Sequence, residues 1–212
     1  MSDNKHLLIV YHSQSGTTSQ MADAVIRGAQ SPDIGNVEVR TRTALEATAE
    51  DLLWCDAFIL GTPENFGYMS GAMKYFLDRS FYDCVDKIDG RPYALFVRAG
   101  NDGAGAITSL QRILKGLSVR EVQEPVLIAG EFDAARLIEC EGLGMTMAAG
   151  LEAGVFSFRR STLSPDRQAL TALRRAAPAC RLRDPARNAL PVPQRACASF
   201  RFRRTRRPFR AP

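Results

Sequence analysis

Three uninterrupted apolar runs of strand length, separated by stretches with helical periodicity, constrain the fold of this chain more than any other feature. The runs are residues 7–11, 57–60 and 93–97, and a shorter one follows at 126–129. Strands that are apolar on both faces are typical of a parallel sheet covered by helices on each side. Residues 36–43 instead alternate between apolar and polar side chains, as a half-exposed edge strand does. Five strands are therefore predicted.

Helical patterns occupy the intervals between these strands. Apolar residues recur at spacings of three and four at Met21, Val25 and Ala29, at Met73, Phe76, Leu77 and Phe81, and at Ile107, Leu110, Leu114 and Leu117. Residues 45–54 are compatible with a short helix, and a last helix is predicted for about 133–150. This alternation predicts an α/β fold, a doubly wound five-stranded parallel sheet with right-handed crossovers. The edge-like second strand favours the flavodoxin-like strand order 2-1-3-4-5 over the six-stranded dinucleotide-binding order.

Charge divides the chain near Phe156. Residues 1–156 carry 13 Lys and Arg against 21 Asp and Glu, a net charge of −8, whereas residues 157–212 carry 15 Arg, no Lys and 2 Asp, a net charge of +13. The second part also holds 7 of the 11 prolines and keeps no helical or strand periodicity. We therefore expect a folded domain over 1–156 and a disordered, basic, Arg/Ala/Pro-rich tail over 157–212.

Two origins of this tail are open. Arginine without lysine, together with alanine and proline, is the composition that out-of-frame reading of GC-rich DNA would give, which predicts a frameshifted or non-homologous extension. The alternative is a genuine tail that binds nucleic acid through its positive charge. A nucleic-acid partner is thus expected only if the tail is genuine.

The sequence indicates neither a membrane anchor nor a metal or disulfide framework. No window approaches the ~18 consecutive apolar residues of a membrane span, and the N-terminus lacks the apolar core of a secretory signal. The five cysteines are odd in number, scattered and without a C-x-x-C pair, and the chain has two histidines. We expect a cytoplasmic protein with reduced, mostly buried thiols, no membrane partner and no metal site.

The segment between the first strand and the first helix is rich in hydroxyl groups and has no cation between Lys5 and Arg27. A helix N-terminus can bind phosphate through free N–H groups and the positive end of its dipole, without a cationic side chain. This predicts a phosphate site in the 12–18 loop, formed by Ser13, Gln14, Ser15, Gly16, Thr17 and Thr18. The alternative is an ordinary capped helix, since Ser and Thr are common N-cap residues.

The predicted strand order also determines which loops meet. Strands 1, 3 and 4 would be neighbours, so the loops 12–18, 62–70 and 98–105 would share the carboxyl edge at which α/β sheets bind ligands. The sequence lacks G-x-x-x-x-G-K-[ST], which argues against a nucleoside triphosphatase. The spacing of Gly100, Gly103 and Gly105 does not match G-x-G-x-x-G, which disfavours a Rossmann nicotinamide domain.

The second loop carries the most specific motif of the chain. Residues 61–71 are GTPENFGYMSG, and AMKYFLDR follows at 72–79. This segment resembles the flavodoxin-like family, and most closely its NAD(P)H-dependent FMN reductase and quinone reductase branches. The first loop matches that family's S/T-x-S/T-G-x-T phosphate pattern, and residues 97–103 stand where its third flavin loop belongs. The resemblance spans about residues 5–156 and none of the tail.

The resemblance implies a bound FMN. The phosphate would lie in the 12–18 loop, the isoalloxazine ring against Pro63, Glu64, Asn65, Phe66 and Gly67, and the polar edge of the ring near Gly100, Asn101, Asp102 and Gly103. Alternatives remain for single residues. An aromatic residue such as Phe66 is more often part of the core, Glu64 could be an exposed loop carboxylate, and Asn101 and Asp102 could simply form a turn.

The activity that the resemblance implies is hydride transfer from NAD(P)H via FMN to a quinone or similar acceptor. No catalytic side chain is predicted, because the flavin carries the redox chemistry. The main alternative is a flavodoxin-type electron-transfer protein without an organic substrate, which the acidic domain permits. A third alternative is a regulatory protein that binds its partner through the tail. The sequence does not distinguish NADH from NADPH, and it leaves a homo-oligomer open.

Overall fold

Strands and helices alternate along the computed structural model, which describes residues 4–156. The strands are β1 (Lys5–Tyr11), β2 (Val37–Thr43), β3 (Ala57–Asn65), β4 (Tyr68–Met69), β5 (Pro92–Ala99), β6 (Arg120–Glu121) and β7 (Val126–Ala129). The α-helices are α1 (Thr17–Ala29), α2 (Ala49–Trp54), α3 (Gly71–Cys84), α4 (Ala104–Gly116) and α5 (Leu137–Glu152). A 3-10 turn, Ala134–Arg136, precedes α5.

The parallel sheet has the order β2-β1-β3-β5, with β6 and β7 both lying beside β5. Pro92 of β5 pairs with Arg120 of β6, and Phe96 of β5 pairs with Val126 of β7. Two segments therefore share the fifth strand position, interrupted at residues 122–125. Counted by position, the order is 2-1-3-4-5, so the predicted fold is confirmed. The short strand β4, by contrast, is antiparallel to the end of β3.

The continuous apolar runs are explained by cores on both faces of the sheet. Leu8 and Val10 of β1 pack with α2, α3 and α4 on one face. Leu7 and Ile9 pack with α1 and α5 on the other. Because neighbouring residues of a strand point to opposite faces, every position of such a central strand has to be apolar.

Helices α1 and α5 approach each other closely at two glycines. A Cβ atom added to Gly144 would lie 1.9 Å from the carbonyl oxygen of Val25. One added to Gly28 would lie 1.9 Å from the carbonyl oxygen of Glu141. The two backbones are therefore in direct contact, which no larger residue permits at these positions.

The sequence also allows predictions for the last helix, the cysteines and the tail. The last helix begins at Leu137, later than predicted, because a 3-10 turn occupies residues 134–136. The three cysteines that the structure describes, Cys55, Cys84 and Cys140, are free and buried, as expected. The predicted tail, 157–212, lies outside the described residues. Within residues 4–156, no helix is both long and apolar enough to cross a membrane.

Candidate functional site

The carboxyl ends of β1, β3 and β5 lie side by side. Tyr11 is paired with Gly61, and Gly61 is paired with Phe96. The backbone N–H of His12 also donates to the Gly61 carbonyl at 3.0 Å, which continues the contact beyond β1. The three loops that the sequence predicts as a binding site therefore follow adjacent strand ends.

Two contacts join the second loop to its neighbours. Asn65 Nδ2 donates to Gln14 Oε1 at 3.1 Å, which links it to the first loop. A Cβ atom added to Gly105 would lie 1.8 Å from the Gly67 carbonyl oxygen, so the first turn of α4 lies against the second loop. The predicted site residues thus form one edge, with the second loop in the middle.

Most backbone N–H groups of the first loop have no acceptor. Between residues 13 and 19, the N–H groups of Gly16 and Ser19 both donate to Ser13 Oγ at 3.1 Å. The other five N–H groups in this segment have no acceptor within residues 4–156. A row of free N–H groups at the start of a helix is an anion-binding arrangement.

The hydroxyl groups of this loop have different roles. Ser13 Oγ accepts two bonds that shape the loop, and its own hydrogen stays available to a ligand. The hydroxyls of Ser15 and Thr17 are exposed and lie 3.3 Å apart. Thr18, by contrast, is buried. Gly16 has a φ of 90°, a conformation that glycine adopts without strain.

Phe66 stands at the tip of a strained hairpin. Phe66 and Gly67 join β3 to β4 with φ angles of 53° and 70°, and the flanking Asn65 and Tyr68 are paired. The Phe66 side chain is fully exposed, with a relative accessibility of 107%. The core interpretation of Phe66 is therefore wrong. A bulky residue held at positive φ and projecting into solvent is typical of a ligand-binding turn.

The hairpin is fixed at its base by hydroxyl groups. Ser70 N donates to Thr62 Oγ1 at 3.0 Å, and Met73 N donates to Ser70 Oγ at 3.3 Å, which caps α3. On the other side, Met69 N donates to Ser109 Oγ of α4 at 3.3 Å. Sequence reasoning missed these three hydroxyl residues. The position of Ser70 before a helical pattern is an N-cap signal, whereas nothing in the sequence distinguishes Ser109.

Glu64 is not the exposed loop carboxylate that one alternative predicted. It lies within β3, paired with Met69, and is half-buried rather than an exposed loop carboxylate. Pro63, also in β3, is half-buried and pairs with Arg98. The residues predicted to line the ring thus belong to a regular strand and its turn, which is a more rigid support than a loop.

The third loop contains both turn-forming and free residues. Asp102 Oδ1 accepts from Ala104 N at 3.0 Å, so Asp102 helps to form the turn before α4, as one alternative predicted. Gly103 is the buried N-cap residue, with a φ of 68°. Gly100 and Asn101 are exposed. The backbone N–H groups of residues 100–103 have no acceptor within the described part of the chain.

Arg98 has a structural role that the sequence did not indicate. Its guanidinium donates to the carbonyl oxygens of Ala99, of Ile128 at 3.1 Å and of Gly130 at 2.6 Å. The guanidinium carbon also lies 5.8 Å from the centre of the Phe132 ring. Arg98 therefore joins the end of β5 to β7 and to the segment that follows it. Because these carbonyl contacts occupy its guanidinium, Arg98 is not available to bind a phosphate.

His12 adds no positive charge to the first loop. Burial lowers the pKa of its imidazole from the ordinary value of 6.5, which favours the neutral form at neutral pH. Its Nδ1 atom is buried and has no hydrogen-bond partner among residues 4–156. A phosphate in this loop would therefore be held by neutral donors, as the sequence predicts.

The residues at this edge fit a ligand with a phosphate and a flat aromatic ring. Free N–H groups and hydroxyls supply the donors for the phosphate, and Phe66 supplies an exposed apolar face. Cβ atoms added to Gly16, Gly67 and Gly100 would have no neighbour within 4 Å, so there is room for a ligand beside each loop. Within residues 4–156, no group of three His, Cys, Asp or Glu side chains is arranged to hold a metal ion.

Comparison with known proteins agrees with this arrangement. The model of the NADPH-dependent FMN reductase family matches residues 11–134, which include all three loops. The chain belongs to this family. FMN and NAD(P)H, which the resemblance implies as cofactor and reductant, are confirmed by the family assignment. The described domain thus has a flavodoxin-like fold and belongs to a family of FMN-dependent reductases.

Two curated relatives illustrate the range of functions. A protein named flavodoxin from Aquifex aeolicus is 37% identical over 108 residues, 51% of this chain and 57% of the relative. A protein named NAD(P)H dehydrogenase (quinone) from Acidithiobacillus ferrooxidans is 32% identical over 123 residues, 49% of this chain and 62% of the relative. The chain thus spans about three fifths of the length of these relatives.

Solved structures support the fold. A flavodoxin from the domain Archaea superimposes with a TM-score of 0.60 at 22% identity, over 69% of this chain and 98% of that one. A WrbA-like flavodoxin from Agrobacterium tumefaciens gives a TM-score of 0.57 at 21% identity, over 69% of this chain and 96% of that one. At such identities the similarity shows the fold alone.

Proposed function

We propose that this protein binds FMN at the three loops and uses it to transfer a hydride from NAD(P)H to a quinone or a similar acceptor. The observation that carries the proposal is the row of free backbone N–H groups in the first loop, beside an exposed aromatic residue on the adjacent strand end. The relative named NAD(P)H dehydrogenase (quinone) supports the choice of acceptor.

Each loop would contact a different part of FMN. The first loop, Ser13 to Thr18, would hold the phosphate through N–H groups and hydroxyls. The ring would lie against the hairpin from Pro63 to Gly67, where Phe66 provides an apolar face. The free N–H groups of residues 100–103 would donate to oxygen atoms at the polar edge of the ring.

The side chains bind and orient rather than react. Bound FMN supplies the two-electron redox chemistry. The clamp formed by Thr62, Ser70 and Ser109 holds the hairpin in place, so the face offered by Phe66 is positioned before any ligand arrives. The cysteines take no part as nucleophiles, because burial raises the thiol pKa of Cys84 to about 11 and that of Cys55 to about 12.

A replacement at Gly16 tests the phosphate site. In Gly16→Val, the added side chain would occupy the open space beside the loop, and its backbone would be strained at a φ of 90°. We expect severe loss of bound FMN. Gly154→Val is the matched control, since Gly154 also has a positive φ, 66°, and open space around it but lies beyond α5.

The measurement is the flavin absorbance per chain after purification, together with titration of added FMN. Loss in Gly16→Val and retention in Gly154→Val is the expected result. Equal flavin content in both variants would contradict the phosphate site. A truncation after residue 156 measured in parallel tests the proposed division of the chain, because the 1–156 domain should bind as much FMN as the full-length protein.

An electron carrier is the second candidate function. The relative named flavodoxin and the net charge of −8 over residues 1–156 favour it, since an acidic domain can dock on basic redox partners. Steady-state oxidation of NADPH with a soluble quinone separates the two. Multiple turnovers would support the reductase, whereas one-electron exchange with a reductase partner and no turnover with quinone would support the carrier.

A further inference from the structure

A groove of about 290 Å³ lies between α3 and α4 and reaches the hairpin of the proposed flavin site. Its aromatic lining residues are Tyr68, Phe81 and Tyr82, and its charged ones are Lys74, Asp78 and Arg112. Tyr68 belongs to the hairpin itself, since it pairs with Asn65. The groove therefore starts where the isoalloxazine ring is proposed to bind and extends along the two helices.

The charge of this groove is unusual for an acidic domain. Lys74 Nζ lies 2.5 Å from Asp78 Oδ1, so these two charges compensate each other. Arg112 is exposed, and its guanidinium has no acceptor within residues 4–156. The groove thus has a net positive lining, with one guanidinium free to bind an anion.

The two other grooves described in residues 4–156 lack this property. The groove between α2 and α3 is lined by two cations and two carboxylates, Arg79, Lys87, Glu50 and Asp83. The groove beside α4 and β7 is lined by Glu121 and Glu124 and by no cation. Of these three grooves, the one between α3 and α4 therefore has the charge that best suits an anionic ligand.

The aromatic side chains of the groove point to a ligand that also carries a flat ring. Tyr82 is 84% exposed and Tyr68 is 43% exposed. Phe81 lies edge-on to Tyr82 at 5.4 Å between ring centres, which supports that ring from one side. An exposed tyrosine face and an unpaired guanidinium that line the same groove fit a nucleobase that carries a phosphate on its ribose.

We propose that this groove binds the adenosine 2′-phosphate end of NADPH, with Arg112 binding the 2′-phosphate and Tyr82 contacting the adenine. The inference rests on the proposed function, because the nicotinamide has to reach a flavin at the hairpin. Arg112 is eight residues into α4, about 12 Å along the helix from its N-terminus. A dinucleotide extending from the hairpin towards Arg112 would place its pyrophosphate between the two. The protein should therefore prefer NADPH to NADH.

Calorimetric titration of the full-length protein tests the site without turnover. The probes are adenosine 2′,5′-bisphosphate and adenosine 5′-monophosphate, which differ by the 2′-phosphate. In Arg112→Gln, the affinity for the bisphosphate should fall about tenfold or more, the loss typical of one charge-assisted contact, while that for the monophosphate stays unchanged. Arg120→Gln is the matched control, because Arg120 is also exposed but lies outside the groove.

A second pair of variants tests the adenine contact. Tyr82→Ala should weaken binding of both nucleotides. Tyr75→Ala should weaken neither, because Tyr75 is 56% exposed on the same helix but does not line the groove. In steady-state assays, Arg112→Gln should lower the ratio of kcat/KM for NADPH to that for NADH by about tenfold and leave kcat/KM for NADH unchanged.

The outcomes separate this inference from the proposed function. Equal affinity of the wild-type protein for the two nucleotides, or equal loss in Arg112→Gln and Arg120→Gln, would overturn the groove assignment even if FMN is bound and NADPH is oxidised. A protein that binds the bisphosphate through Arg112 but takes up no FMN would retain the groove assignment and contradict the proposed function.

Discussion

The contact between α1 and α5 leads to opposite predictions for two glycines of the same helix. Gly142 and Gly144 both lie inside α5, where a glycine costs about 1 kcal/mol relative to alanine. A Cβ atom added to Gly142 has no neighbour within 4 Å, whereas one added to Gly144 lies 1.9 Å from the Val25 carbonyl oxygen. Gly142→Ala should therefore raise the free energy of unfolding by about 1 kcal/mol.

Gly144→Ala should lower the free energy of unfolding. Normal van der Waals contact begins at 3.4 Å, so α5 would have to move away from α1 by about 1.5 Å to relieve a distance of 1.9 Å. That movement would loosen the packing of Leu143 and Met147, which are almost fully buried. Overpacking costs about 1–3 kcal/mol, and a clash with backbone atoms belongs at the upper end, about 3 kcal/mol, of which the better helix propensity of alanine offsets about 1 kcal/mol. We expect a net loss of about 2 kcal/mol.

Urea denaturation of flavin-free preparations measures both changes, since bound FMN would add its own stabilisation. With a typical slope of about 2 kcal/mol per molar urea, Gly144→Ala should lower the unfolding midpoint by about 1 M, and Gly142→Ala should raise it by about half as much. A Gly144→Ala midpoint equal to or above that of the wild-type protein, at unchanged slope, would refute the close packing of the two helices.

Three further predictions concern single features. Phe66→Gly should weaken FMN binding and yet raise the free energy of unfolding by up to about 1 kcal/mol, because it removes the strain of a positive φ. An unchanged FMN affinity in calorimetry would contradict the contact with the ring, and a lower urea midpoint would contradict the strain. Arg98→Met should lower the free energy of unfolding by about 1–3 kcal/mol, because it removes the donor that joins the end of β5 to the carbonyl groups of Ile128 and Gly130, and Arg98→Lys should recover only part of this. Unchanged urea midpoints would contradict this role of Arg98. Burial raises the thiol pKa from 9.0 to about 12 in Cys55 and to about 11 in Cys84 and Cys140. As the pH rises, these thiols therefore lose their protons in the unfolded chain before they do so in the folded protein. The free energy of unfolding should then fall as the pH rises above about 9 towards 11. Mass-spectrometric mapping at pH 8.5 should find these thiols unlabelled by iodoacetamide in the folded protein and labelled in urea, and labelling at equal rates would contradict their burial.

The strand order and the three loops could be predicted because both depend on local signals. Central strands such as residues 7–11 are apolar on both faces, and the edge strand at 37–43 alternates, so burial is visible in the sequence itself. The proposed phosphate loop could be recognised by its hydroxyl and glycine content at a strand-to-helix junction. These signals involve residues that are close together along the chain.

Features that depend on distant residues were not predictable. The carbonyl groups that bind Arg98 include two from residues about 30 positions later in the chain. Phe66 looked like a core residue because its exposure depends on a two-residue strand, β4, that is too short to produce a periodic pattern. The division of the fifth strand position into β6 and β7 is only partly visible in the sequence. Pro125 and its polar neighbours interrupt the apolar pattern, but they do not determine how β6 and β7 pair with β5.

The attachment of the second loop to both α3 and α4 has a consequence for how its length can vary. Surface loops generally tolerate insertions, because few contacts depend on their exact span. Here one added residue between Thr62 and Ser70 would move the side chains of the hairpin to the opposite faces of its strands. It would also separate Met69 N from Ser109 Oγ. The helix contact at Gly105 would be displaced with it. Functional insertions in this protein should therefore be confined to other loops, and a library of random one-residue insertions should lose flavin-binding members throughout residues 63–69.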